Sequence, residues 1–254
     1  MRIAIQSNVW FHDLHLNDLP KVLREIAAAG YEGAEIGAHK LNLDQPAAFN
    51  AMAAQMGLVV SGIHTHGEIY SLPAIQTASG YFEKAAGFAN ATGASCMLIS
   101  GRRKEHKREA DLEAEVHSLM HVAHICQAVG LPLYYHSHNW ELADDLRELR
   151  YLFAHTDPQL MSLALDIGWV QRAGLDPVAV INEFYGRIRY LHFKDSANDR
   201  WTELGRGQVD FPAVLRLLEA QGYTGWLAVE RDEELPNAFE SAQESRAYLK
   251  KLGL

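Results

Sequence analysis

Three short apolar runs end in ionisable residues: LALD at Asp166, YLHF at His192 and LAVE at Glu230. Isolated charges in such places are expensive to bury. A shared divalent cation offsets that cost, because it neutralises the carboxylates and takes the imidazole lone pair. Mixed nitrogen and oxygen donors suit Mn2+, Co2+, Fe2+, Mg2+ or Zn2+, and no thiolate selects zinc. The segment YYHSHNWE, residues 134–141, is placed to reach the same point. On an extended chain His136 and His138 face the same side, and Glu141 follows in the next loop. A cation held this way polarises a carbonyl and steadies the enediolate formed when the adjacent proton leaves, an effect of several kcal/mol. A base must take that proton, and an acid must return it or expel a hydroxyl. Glu230, His136, His138 and Lys194 are the candidates. Return to the neighbouring carbon isomerises, return to the opposite face epimerises, and loss of a β-hydroxyl dehydrates.

Such residues act together only if the chain gathers them, and glycine marks how it does so. Gly30, Gly57, Gly93, Gly130, Gly186 and Gly222 each follow a helix-like stretch and precede a short apolar run, as in EIAAAG before YEGAEIG. A glycine just past a helix closes its C-terminus in the left-handed conformation. The intervals are 27, 36, 37, 56 and 36 residues, and all but the long one match a strand–helix unit. Within the long interval Asp157–Pro158 supplies the missing joint, since proline also ends a helix. Eight apolar runs result, at 2–7, 33–37, 58–64, 95–100, 131–136, 162–167, 188–193 and 226–230. They are nearly continuous in apolar residues, as suits parallel strands covered on both faces. Between them lie helical stripes such as Leu19, Val22, Leu23, Ile26 and Ala27. Eight β–α alternations without a linker specify a single-domain (β/α)8 TIM barrel over residues 1–254. A doubly wound sheet is disfavoured, because no GxGxxG follows the first strand.

In a barrel the chemistry belongs at the C-terminal strand ends. Those ends carry Asn8 and Trp10, Glu35 and His39, His64 and His66, Ser100, His136 and His138, Asp166, His192 and Lys194, and Glu230. Trp10, Glu35, His64 and His66 are expected to contact substrate, with Trp140 and Trp169 as further aromatic surfaces. The basic run RRKEHKR, residues 102–108, reads as a solvated loop or as an attractor for a phosphate or carboxylate.

The segments YYHSHNWEL, SLALDIGWV, GRIRYLHFKD, LGRGQVDF and YTGWLAVERD resemble the xylose-isomerase-like TIM barrels, the sugar isomerase/epimerase superfamily. The resemblance implies one divalent metal held by Glu, Asp, His and Glu from strands 5 to 8, and Asp166, His192 and Glu230 match the last three. Strand 5 departs from that pattern, because its glutamate slot aligns with His136. This is closer to the YHNHxxE subgroup, which includes inosose-dehydratase-like and keto-sugar-processing proteins. Either His136 or Glu141 then supplies the fourth ligand. Glu141 is favoured, since it restores three carboxylates and one histidine. The family implies an isomerase or epimerase of a small keto-sugar or related polyol, with a dehydratase as the alternative. A non-catalytic sugar-binding barrel or enzyme subunit, and a Schiff-base aldolase using Lys194, are rival classes.

Composition narrows the partners. The 254 residues are 48% hydrophobic and 22% charged, with a net charge of −9. An acidic chain is a poor nucleic-acid binder and is repelled by anionic membranes, and the extra metal ligands of the related endonuclease IV are missing. Cys96 and Cys126 sit in apolar segments as two core thiols of a reducing compartment. No apolar stretch approaches the roughly 20 residues of a membrane span. The expectation is a cytoplasmic protein with a small-molecule carbohydrate substrate and homodimerisation as the default assembly.

Overall fold

A computed structural model describes residues 1–11, 13, 18–233 and 235–254. Eight parallel strands close into a barrel: β1 (Arg2–Gln6), β2 (Gly33–Gly37), β3 (Val59–Gly67), β4 (Met97–Gly101), β5 (Leu133–His136), β6 (Met161–Asp166), β7 (Ile188–Phe193) and β10 (Trp226–Val229). β1 pairs with both β2 and β10, which completes the ring. Each strand overlaps its expected apolar run. The helices are α1 (Leu19–Ala29), α2 (Pro46–Gln55), α3 (Leu72–Thr77), α4 (Ser79–Ala91), α5 (Glu109–Ala128), α6 (Ala143–His155), α7 (Ile167–Arg172), α8 (Pro177–Phe184), α9 (Phe211–Ala220) and α10 (Ala238–Lys251). Among the described residues no helix is long and apolar enough to cross a membrane.

The period of two along each strand divides the core into two shells. Ala4, Leu98, Ala164, Tyr190 and Ala228 fill the barrel lumen together with Cys96 and Trp226. Their chain neighbours Ile3, Ile5, Met97, Ile99, Leu163, Leu165, Leu191 and Leu227 face outward and pack with the helices. The same alternation places Gln6, His136, Asp166, His192 and Glu230 on the lumen side, one step above that apolar plug. Two register shifts fall close to functional positions, between Ala34 and Glu35 in β2 and between Leu163 and Ala164 in β6. Such irregularities re-aim the side chains beyond them.

Gly30, Gly57, Gly93, Gly130 and Gly222 adopt positive φ, between 67° and 88°, as the repeat requires. Gly186 does not enter that region. The adjacent Arg187 explains the irregular interval: its guanidinium donates to the carbonyls of Phe153 (2.7 Å) and Met161 (3.0 Å) and to Thr156 Oγ1 (3.1 Å). A cation thus satisfies the end of α6 where the other joints use glycine. The antiparallel hairpin of β8 (Asp195–Ala197) and β9 (Arg200–Thr202) was not expected. Its two-residue turn, Asn198–Asp199, has φ of 50° and 59°, which is the turn chemistry of tight hairpins.

Candidate metal centre and active site

Four ligand-type side chains converge at the C-terminal end of the barrel. One donor atom from each of His136, Asp166, His192 and Glu230 lies within 4.8 Å of all the others, and all four residues are buried. His136 Nε2 is 3.7 Å from Asp166 Oδ2 and 3.9 Å from Glu230 Oε2. His192 Nδ1 is 2.7 Å from Glu230 Oε2. Asp166 also caps α7, with Oδ1 accepting the Trp169 backbone N–H at 2.9 Å, so only its second oxygen faces the cluster. His136 Nε2 has no hydrogen-bond partner among the described residues although it is buried. An orphaned imidazole nitrogen beside two carboxylates fits a divalent cation, and a two-nitrogen, two-oxygen set suits Mn2+, Fe2+, Co2+ or Zn2+.

Glu141 does not join this set. Its Oε1 accepts from the Tyr135 hydroxyl at 2.8 Å and its Oε2 from the His138 backbone N–H at 2.7 Å. Burial and the nearby Glu148 push its carboxyl up to about 8. The loop after β5 turns Glu141 outward behind the strand, beside the outward-facing Tyr135, and His136 holds the position that the sequence assigned to Glu141.

Behind the cluster runs a second line of polar groups. Glu35 Oε2 is 2.7 Å from His192 Nε2, and Glu35 Oε1 is 2.7 Å from His64 Nδ1. His64 Nε2 is 2.7 Å from Ser100 Oγ, which is 3.1 Å from His136 Nδ1. Burial works against charge on Glu35, but His192 and His64 outweigh it and hold the carboxyl down at about 2. Burial likewise opposes a charged His192, yet Glu35 and Glu230 raise its pKa well above the ordinary range.

Lys194 lies over the rings of Trp169 and Trp201. Its Nζ is 3.4 Å from Asp166 Oδ2, 3.4 Å from Glu230 Oε2, and paired with Asp232. Gly168 permits this packing, since a Cβ there would sit 2.6 Å from Lys194 Cβ. Burial favours a neutral amine, but Asp232, Glu230 and Asp166 outweigh it and keep Lys194 protonated. A protonated ammonium held this way offers a positive charge and a proton, and lacks the lone pair that a base or Schiff-base nucleophile presents.

Above the cluster opens a cavity of about 620 Å³ whose wall includes His64, His66, His138, Trp140, Glu230 and Asp232. His138 stacks on Trp140, with ring centroids 4.2 Å apart. Burial and the neighbouring His136 hold its pKa well below 6.5, so the imidazole is neutral. Asp232 stands exposed at the cavity edge, where crowding against the site, opposed by Lys194, raises its carboxyl to about 6 and contact with solvent limits the rise. Asp232 was missed from sequence, although it follows Glu230 by two residues, the spacing that keeps a side chain on one face of an extended chain. Trp10 is corrected: it is 1% exposed, absent from this wall, and its indole donates to Glu25 at 2.5 Å. Its apolar ring anchors the turn after β1 in the core. Glu35 is also fully buried below the cavity wall, so it supports the site from beneath. Of the basic run, Arg102 and Arg103 reach the cavity. Lys104 and Arg108 turn back to Asp111, and Lys107 to Glu115 and Glu148.

A closed parallel barrel with such a cluster at its C-terminal mouth defines a (β/α)8 protein with a candidate metal centre. Residues 23–252 match the profile of the xylose isomerase-like TIM barrel, and the chain belongs to that family. It is 25% identical to an inosose dehydratase of Geobacillus kaustophilus, across 99% of this chain and 94% of the relative. It is 26% identical to the inosose dehydratase of Lactiplantibacillus plantarum, across 92% and 88%. Among solved structures, a sugar phosphate isomerase/epimerase from Parabacteroides distasonis superposes with a TM-score of 0.81 at 23% identity, covering 98% and 93% of the two chains. A 3-keto-D-glucoside 4-epimerase from E. coli superposes at 0.77 with 16% identity over 99% of each.

Proposed function

We propose that the protein is a divalent-metal-dependent isomerase or epimerase of a small keto-sugar or related polyol. The observation that carries this reading is the convergence of His136, Asp166, His192 and Glu230, two of which, His136 and Glu230, line a 620 Å³ cavity. These four residues would hold the ion. When bound, a divalent cation supplies Lewis acidity, which lowers the cost of forming an enediolate next to a carbonyl.

The chain's own groups do the rest. His138 stands on the cavity wall as a neutral imidazole able to accept a proton, with its ring fixed against Trp140. Asp232, whose carboxyl is raised toward the working pH, faces the same space and can return a proton to the neighbouring carbon or to the opposite face. Glu230 borders both the cluster and the cavity and orients a substrate oxygen between them. Lys194 stays protonated and stabilises negative charge on the carboxylates and on a nearby substrate oxygen.

A dehydratase is the second reading. Two observations favour it: His136 occupies the strand 5 position where the family's epimerase scheme needs a glutamate, and the curated relatives described above are inosose dehydratases. Both reactions begin with removal of the same kind of proton. Metal analysis of the purified chain, with Asp166→Ala and Glu230→Ala beside it, tests the centre: about one ion per chain is expected, lost in both variants. Solvent-deuterium uptake by a panel of keto-sugars and inososes, followed by NMR, then separates exchange, rearranged sugar and dehydrated product. Metal-loaded protein that binds a sugar yet exchanges no proton would replace the enzyme with a binding barrel.

A further inference from the structure

The two imidazoles of the cluster present different nitrogens to it, Nε2 from His136 and Nδ1 from His192. Each must offer a lone pair to serve as a ligand, so each must carry its proton on the other nitrogen. Those other nitrogens are joined through the interior by three residues that lie outside the donor set: Ser100, His64 and Glu35.

Hydrogen-bond polarity along this chain admits one arrangement when Glu35 is ionised and the His64 ring carries a single proton. A carboxylate only accepts, so His192 Nε2–H and His64 Nδ1–H must both donate to it. With a single proton on that ring, His64 Nε2 accepts, and its partner among the described residues is the Ser100 hydroxyl at 2.7 Å. Having donated its hydrogen, Ser100 Oγ accepts from His136 Nδ1–H at 3.1 Å. His136 Nε2 is left as a bare lone pair, and it is the nitrogen without a hydrogen-bond partner among the described residues. His192 Nδ1 stands 2.7 Å from Glu230 Oε2, and a cation bound there would displace its proton and leave the lone pair to the cluster.

We infer that Glu35, His64 and Ser100 are positioning residues: one directional hydrogen-bond chain that sets the tautomers of both histidines toward the metal. The inference rests on the proposed metal centre and deepens it. A rival use of the same atoms, a second ion held by Glu35, His64 and His192, is less consistent with the geometry. Both Glu35 oxygens already stand 2.7 Å from ring nitrogens, a hydrogen-bond contact, and a second ion would need both nitrogens of His192 deprotonated. The chain also connects the site to the cavity, because His64 is 12% exposed in its side chain and lies on the wall.

The test uses Zn2+ as probe with the full chain. Histidine ¹⁵N NMR of Zn2+-loaded protein should show a proton on His136 Nδ1 and on His192 Nε2. The amide of Glu35→Gln has one accepting and one donating end, so it cannot accept from both rings, and the His192 and His64 assignments should scramble. Ser100→Ala, a small change, should release the His136 tautomer while leaving His192 as it was. Each variant should weaken Zn2+ binding by roughly 10- to 100-fold, and the double variant should lose less than the product of the two. A protonated His136 Nε2 in the loaded wild type, two Zn2+ per chain, or Zn2+ affinity within about twofold of wild type in Ser100→Ala would each overturn the inference. A wild type that takes up no Zn2+, Mn2+ or Co2+ would instead overturn the metal centre itself.

Discussion

Lys194 shows how single residues set the chemistry here. Its ammonium faces Asp166, Glu230 and Asp232 from within the core, so it neutralises carboxylates and at the same time repels an incoming cation. Lys194→Met therefore has two opposite effects. In EDTA the variant should be less stable by about 3–5 kcal/mol, the cost of leaving buried carboxylates without their counter-charge. With Mn2+ present, calorimetry should give tighter binding than wild type, because a competing positive charge is gone. Weaker Mn2+ binding would mean that the lysine assembles the site and does not compete for it. Much of the site was legible at this scale, since Asp166, His192 and Glu230 stand out as charges closing apolar runs. The choice between His136 and Glu141 was not, because it depends on a loop turning one carboxylate toward Tyr135 and away from the mouth.

Among the elements, the segment after β8–β9 is organised by one carboxylate. Asp195 accepts the backbone N–H groups of Ser196, Gly205, Gly207 and Val209 at 3.0, 2.9, 2.8 and 3.1 Å. Asp195→Ala strands these donors and should cost about 3 kcal/mol or more in urea unfolding. Gly207→Ala should act similarly, since its Cβ would fall 2.1 Å from Asp195 Oδ1. A second device joins α5 to α6: Lys107 lies 2.6 Å from Glu115 and 2.5 Å from Glu148. Burial and the charge of Glu148 raise Glu115 to about 7. Its folded pKa exceeds the unfolded one, so the folded state holds the extra proton and stability falls as pH rises from about 4.5 to about 7. The slope is at most about 1.4 kcal/mol per pH unit. Glu115→Gln should flatten that part of the stability–pH curve and leave the protein more stable than wild type at pH 8. An unchanged slope would show that the pair is ionised throughout.

The molecule as a whole couples its closure to its site. The barrel closes between β1 and β10, and the strands that carry the four converging side chains at their ends, β5, β6, β7 and β10, are consecutive neighbours around the ring. An ion bound across four strands ties that half of the barrel together. Saturating Mn2+ at about 100 times its dissociation constant should add about 2.7 kcal/mol and raise the melting temperature of a chain this size by roughly 5–10 °C. EDTA should reverse the shift, and Asp166→Ala should abolish it. A shift of equal size in Asp166→Ala would place the ion elsewhere.

From the sequence alone came the eight-fold repeat, the strands, the face of the barrel that carries chemistry, and three of the four converging donors. These follow from local rules: apolar periodicity, glycine joints and polar residues at strand ends. Tertiary structure decided which nitrogen or oxygen meets which. It put His136 in the cluster and Glu141 behind it, and Trp10 in the core. It joined Glu35 to His192 across 157 residues of chain and set Lys194 against Asp232. Contacts of that separation depend on barrel closure and register, and no local pattern encodes them.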